Sequence, residues 1–295
     1  MHMRTVGDVR VSRVIEMEGP SFAIDDLFPD ADGESVAAAL AAEGDWLLPR
    51  FIDPESRFLI MSLHSFVIRT ARHVILVDTC VGNDKERPGR DAWHRRDGPF
   101  LDRLAEAGVR PEDVDVVLCT HLHVDHVGWN TRLVDGRWVP TFPNARYIFA
   151  RREYAFWEAK AAAAPAGTVN VGSYDDSVLP VVVAGQAIFV DDDHEIEDGL
   201  WLEPAPGHTP GNIILNLVSG GTRAAFTGDV MHHPLQLVRP DWSSRFCEDP
   251  GQSRATRRAL IERFAESGTL ILPAHFPTPT VGHIEPTASG FRLGS

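Results

Sequence analysis

Cysteine is scarce in this 295-residue chain, which has only Cys80, Cys119 and Cys247. They are odd in number, far apart and in no CxxC pair, which excludes a disulfide framework and suits reduced thiols. Long apolar runs are also missing. The best, Val178 to Val190, is interrupted by Pro180, Gly185 and Gln186 and is too short to span a bilayer. Met1 to Arg13 lacks the apolar stretch of a signal peptide, so a soluble, cytoplasmic protein is expected. Basic residues are outnumbered 28 to 42, for a net charge of −14. Nucleic acid and anionic membrane would be repelled, so neither is an expected partner. The acidic balance reads first as an aid to solubility.

What is present is the composition of an ordinary globular protein, 43% hydrophobic and 24% charged. Strand-like runs cover Val9 to Glu16, Phe58 to Arg69 and His73 to Asp78, the last two close enough for a hairpin. Further strands are expected at Val114 to Cys119, Arg146 to Ala150, Ala187 to Val190, Leu200 to Glu203, Asn212 to Val218, Arg223 to Thr227 and Thr269 to Leu272. Helices are expected at Glu34 to Glu43, Phe100 to Ala107, Arg151 to about Ala164, and Gln252 to Glu266. Trp46 to Pro54 and Ala164 to Gly172 read as loops. No heptad or fixed-period repeat occurs. The pattern suits two packed sheets with helices outside, in one domain over 1–295. The segment 129–177 reads as an insertion that shapes a pocket.

Chemistry concentrates in Thr120-His121-Leu122-His123-Val124-Asp125-His126-Val127-Gly128. Three histidines and an aspartate fall within six residues, directly after an apolar strand. In an extended or tightly turning segment, His121 and His123 project to one side and can grip one ion. Asp125 and His126 can face a second. Imidazole and carboxylate are zinc ligands, and manganese, iron and cobalt accept them too. Three more segments end strands with donors: Pro206-Gly207-His208-Thr209-Pro210-Gly211, Phe226-Thr227-Gly228-Asp229 and Leu272-Pro273-Ala274-His275. Each alone reads as an ordinary turn; together they read as ligands.

These motifs resemble the metallo-β-lactamase-fold hydrolase superfamily, from about Phe58 to His275. The resemblance implies an α+β fold, a four-layer αββα sandwich with metals at one edge of the sheets. It implies two Zn2+ per chain. His121, His123 and His208 would hold the first, Asp125, His126 and His275 the second, and Asp229 would bridge. Val77-Asp78-Thr79 resembles the family's early aspartate motif, which supports the metal loop; a plain strand-ending aspartate reads as well.

Within the superfamily, β-lactamases proper commonly use a cysteine at the second site, and no cysteine here lies in a ligand motif. Glyoxalase II relatives bind glutathione with basic residues near the C-terminus; after Ile261 only Arg263 and Arg292 remain. Relatives that process tRNA need a basic surface, and iron redox relatives usually carry glutamate where His123 stands. The dinuclear lactonase and arylesterase branch remains, with organophosphate hydrolases beside it and β-lactam or thioester hydrolysis further off. The expected reaction is lactone or carboxyl-ester hydrolysis by a metal-bridging hydroxide, since zinc lowers the pKa of bound water to about 7. Asp125 or Asp229 would carry the proton. His232 stands where lactonases often have a substrate-contacting tyrosine, and could donate to the departing oxygen or only pack. Trp46, Phe51, Trp129, Trp157, Met231 and Phe276 are candidates for an apolar substrate wall, though core packing is the first reading for each, and His233 joins them with packing as an equal reading. The expected partner is a small hydrophobic ester or lactone; a homodimer stays open. A non-catalytic metal module is the reading from another class.

Overall fold

The computed structural model describes residues 3–294, and the chain divides into two compact units: Met1–Glu16 with Leu63–His194, and Met17–Ser62 with Glu195–Ser295. A seven-stranded sheet runs in the order Met3–Val6, Val9–Phe22, Leu59–Arg69, Val74–Val77, Val116–Leu118, Arg146–Ala150, Ala187–Val190. The chain crosses from one unit to the other within Val9–Phe22 and again within Leu59–Arg69.

In the first unit, Leu59–Arg69 turns back antiparallel into Val74–Val77, with Phe66 opposite Val77. The next three strands are parallel to it, with Val77 opposite Leu118 and Leu118 opposite Ile148. Parallel strands need crossovers, and the helices Phe100–Glu106 and Arg151–Ala162 lie in them. Central strands are buried on both faces, which is why VVL and RYIFA read as continuous apolar runs. Leu76, Val117, Phe149, Phe100, Leu104, Phe142 and Tyr147 form one core. Tyr147 is buried there because its hydroxyl donates to the Asn130 carbonyl at 3.0 Å and accepts from Phe142 N–H at 3.1 Å.

The second unit holds a five-stranded sheet: Glu195–Glu197, Leu200–Pro204, Ile213–Ser219, Thr222–Gly228, Leu270–Pro273. Only the last pair is parallel, and the helix Pro250–Phe264 lies in its crossover. That helix starts where Asp249 accepts a hydrogen bond from Gln252 N–H, with Pro250 at its first position. One core joins Ile214, Ala225, Ile261, Phe264 and Ile271, and another joins Phe28, Leu47, Phe51, Leu235 and Trp242.

Every strand and helix expected from the sequence is present, and the fold class is α+β as expected. The differences are informative. Val9–Phe22 runs six residues beyond Glu16, and the helix expected at Glu34 to Glu43 runs from Gly33 to Leu47 and takes in Trp46. The hairpin Thr131–Val134 with Arg137–Pro140 was not expected. Its signal is Asp135-Gly136, both at positive φ, the dipeptide that favours a two-residue turn. A final hairpin, His283–Pro286 with Phe291–Gly294, follows what reads as the last core strand. No helix among the described residues is long and apolar enough to cross a membrane.

Gly128 is fixed by space: a Cβ there would lie 1.9 Å from the Val81 carbonyl. Gly128→Ala is therefore expected to destabilise the protein by about 3 kcal/mol or more through overpacking. Urea unfolding checks this; an unchanged midpoint would contradict the packing.

Candidate metal centre

The first unit places its donors at the carboxyl ends of adjacent parallel strands. Asp78 follows Val74–Val77 with left-handed backbone, φ 58. It accepts from Thr120 N–H at 2.8 Å, from the Thr120 hydroxyl at 2.9 Å and from His126 Nδ1 at 2.9 Å. One buried carboxylate thus ties the two strand ends together. With Nδ1 donating to Asp78, the His126 ring is turned so that Nε2 lies toward Asp125. Thr120 spends its hydroxyl hydrogen on Asp78, so it accepts from His121 Nδ1 at 3.2 Å and fixes the orientation of that ring.

The loop turns tightly, with His126 N–H bonded to the His123 carbonyl at 3.0 Å. His121 Nε2 lies 3.1 Å from His123 Nδ1, and His126 Nε2 lies 3.9 Å from Asp125 Oδ1. The motif thus carries two pairs, His121 with His123 and Asp125 with His126. Thr79, Cys80 and Trp129 pin its far side: Thr79 N–H bonds His126 O, Gly128 N–H bonds Cys80 O, and Trp129 N–H bonds Thr79 O, each at 2.8 Å. Buried Glu153 accepts from Leu122 N–H at 3.0 Å and from Trp157 Nε1 at 2.7 Å. Trp157 in turn lies edge-on to His123, ring centres 5.4 Å apart.

In the second unit the strand Thr222–Gly228 ends at Asp229, whose carboxylate collects three imidazoles. His208 Nε2 and His232 Nε2 lie 3.2 Å from Oδ2, and His275 Nε2 lies 3.1 Å from Oδ1. His275 is aimed by Nδ1, which donates to the Ser62 carbonyl at 3.1 Å, while Ser62 N–H bonds the His275 carbonyl at 3.0 Å. His208 is held by its turn. Glu248 N–H bonds its carbonyl at 2.8 Å, and Asp249 N–H bonds Gly207 O at 3.0 Å. Gly207, at φ 127, sits where a Cβ would meet Ser253 N at 2.2 Å. The Cys247 sulfur lies 3.6 Å from His208 Nδ1.

Electrostatics separate the imidazoles around Asp229. Burial opposes a charge on His208, but the Asp229 carboxylate outweighs it and lifts that ring to about 9. At His232 burial wins against the same carboxylate and pulls the ring down to about 4. Burial also pulls His233 down to about 4, against the Phe51 carbonyl. His233 uses both nitrogens structurally: Nε2 donates to Phe51 O at 2.8 Å, and Nδ1 accepts from Leu235 N–H at 3.1 Å.

The donors fit divalent metal ions. They are imidazole and carboxylate only, they are buried or half-buried, and the Nδ1 groups of His121, His126 and His275 are braced so that each Nε2 is turned toward another donor. The residues read as a substrate wall are placed differently. Phe51, Trp129, Met231 and Phe276 are buried in the cores of their units. Trp129 stacks on Phe100 at 5.4 Å and donates to Glu16 at 2.7 Å. Trp46 is half-buried and donates to Glu43 at 2.7 Å. Glu153, Glu16 and Cys247 were not singled out from the sequence; a buried glutamate on a helix or strand carries no local signal of its partner.

This fold, with histidine and aspartate donors at its strand ends, places the chain in a family. The chain belongs to the metallo-β-lactamase superfamily, whose model matches residues 62–275. Among curated proteins it is similar to an N-acyl homoserine lactonase of Bacillus cereus, 25% identical over 164 residues, 50% of this chain and 54% of that protein. The chain therefore matches about half the length of that relative. Among solved structures it resembles the hydrolase AbOPH of the β-lactamase superfamily, with TM-score 0.81 and 25% identity over 100% of this chain and 97% of that one. It also shares the fold of AidC, a dizinc quorum-quenching lactonase, with TM-score 0.78 and 20% identity over 99% and 96% of the two chains.

Asp78→Asn turns an acceptor toward His126 into a donor and frees that ring to rotate. Metal retention against a chelator should fall about 10- to 100-fold, with the fold retained by circular dichroism; unchanged retention would contradict the aiming role. His233→Ala should instead keep the metal and lose about 1–3 kcal/mol of stability, read by urea unfolding.

Proposed function

We propose that this protein is a dinuclear metal-dependent hydrolase that opens a lactone or carboxyl ester. The donor set carries the reading. By the superfamily's pattern, His121, His123 and His208 would hold one ion and Asp125, His126 and His275 the other, with Asp229 shared between them. Zinc is the first candidate, and manganese, iron and cobalt accept the same donors. Seven donors for two ions leave coordination positions open, whereas a structural zinc site is closed by four protein ligands. This argues against a purely structural metal module.

Bound there, the ions would supply Lewis acidity and acidify a coordinated water to a pKa of about 7. The chain's own groups handle the protons. Asp125 and Asp229 are the carboxylates proposed to take a proton from the attacking water. His232 Nε2 lies 3.2 Å from Asp229 Oδ2, and burial keeps its ring neutral near pH 7, against the pull of Asp229. It would therefore serve as a hydrogen-bond donor to the departing oxygen rather than as an imidazolium acid.

Membership of the superfamily and the lactonase relative support the ester class. AidC was solved with an N-acyl homoserine product, which makes an N-acyl homoserine lactone the first substrate to test. A donor set without cysteine argues against a β-lactam.

The test is a substrate panel of lactones, aryl esters, a phosphotriester and a β-lactam, assayed before and after chelation. A lactone or ester should give the highest kcat/KM, and chelation should abolish turnover. A phosphotriester or β-lactam as best substrate would replace the substrate assignment; turnover that survives metal removal would end the metal reading.

His232→Ala should keep its metal and lose on the order of ten- to a thousandfold in kcat. The loss should be smaller for a nitrophenyl ester than for an alkyl lactone. Equal losses would remove the donor role, and loss of metal would make His232 a support for the ligands.

A further inference from the structure

The loop bearing His121, His123, Asp125 and His126 is gripped by a side chain outside the motif. Asn170 Nδ2 donates to the Leu122 carbonyl at 2.5 Å, and its Oδ1 accepts from Val124 N–H at 3.2 Å. The amide thus clasps the backbone on both sides of His123. Asn170 and Val171 are both left-handed, at φ 51, ψ 43 and φ 56, ψ 32. Asparagine tolerates that region, but a β-branched valine is a genuine outlier there. Such a conformation persists only where the surroundings enforce it.

The enforcing groups are two buried basic side chains and the carboxylate beside them. Arg87, fully buried, donates from Nη1 to the Val171 carbonyl at 3.2 Å. The same guanidinium forks onto Asp176 at 2.6 and 2.9 Å. Lys85, also fully buried, donates to the Asp176 carbonyl at 3.1 Å and to the Thr131 hydroxyl at 2.6 Å. These contacts anchor the turn Tyr174–Val178 and, through Val171, the backbone of Asn170. A bidentate arginine pair is rigid and directional, which suits such an anchor.

We propose that Asn170 is a positioning residue that aims His123, and that Arg87 with Asp176 holds Asn170 in the backbone geometry this requires. The proposal rests on His121 and His123 being metal ligands. His126 has its own brace in Asp78, so loss of Asn170 should fall on the ion that His123 holds.

The test uses the full-length protein loaded with cobalt, whose visible absorption reports ligand geometry. Asn170→Gly keeps the left-handed backbone without strain and removes both side-chain hydrogen bonds. Asn170→Asp keeps the acceptor for Val124 and loses the donor. Asn170→Gly should retain the native circular dichroism, shift the cobalt bands and release one of two ions about 10- to 100-fold more readily to a chelator. Asn170→Asp should fall between it and the unaltered protein, and Arg87→Lys, which breaks the fork, should move in the same direction. Thr168→Ala, an exposed change on the same loop, should stay within about twofold of the unaltered protein.

His123→Ala separates the two layers of the argument. If it binds cobalt like the unaltered protein, the metal reading fails. If it loses an ion while Asn170→Gly matches the unaltered protein in spectrum and retention, the positioning role is overturned. Should Asn170→Gly not fold, Asn170→Asp decides by the same readouts.

Discussion

A carboxylate can stay in a protein interior only if something compensates its charge, and this constraint governs the candidate donors of each unit. Asp78 is compensated by two groups of Thr120 and by His126. Asp229 is compensated by three imidazoles within 3.3 Å. Each buried acid thereby fixes the rings around it. The arrangement is costly to keep as bare protein and natural for ligands of a cation, which is why donor chemistry and burial point the same way.

The fold explains why the donors occur at these places in the chain. In both units a pair of parallel strands ends side by side, Val77 opposite Leu118 and, after a shift of register past Phe226, Gly228 opposite Pro273. Asp78, Asp229 and Ala274 with His275 follow those ends directly, and Thr120 with His121 comes one residue further on. Residues just beyond the carboxyl ends of parallel strands leave the hydrogen-bonded ladder, so their side chains are free to serve a site. Four short segments far apart in sequence are therefore delivered by one kind of geometry.

Much of this was legible without coordinates, for physical reasons. Apolar runs with turn residues between them located the strands, because buried parallel strands tolerate little else. Ligand spacing pointed to the candidate donors, because few other roles place three histidines and an aspartate in six residues. The braces were not legible. Glu153 and Asn170 act on the motif from 31 and 46 to 48 residues away, and nothing local marks a residue for a partner so distant. The reach of Asp78 to Thr120 was only half legible, since a strand-ending aspartate reads the same whether or not it supports a loop. The candidates for an apolar wall show how a local reading stays open. Proximity in sequence to candidate ligands left Trp129, Met231 and Phe276 readable as wall or core, with core the first reading, and all three are buried in the core.

The central claim, that two ions sit among these donors, is tested most directly by anomalous diffraction at the zinc edge from crystals of the zinc-loaded protein. The account expects two anomalous peaks per chain, one on His121, His123 and His208 and one on Asp125, His126 and His275, with Asp229 touching both. One peak only, or peaks away from these residues, would contradict it.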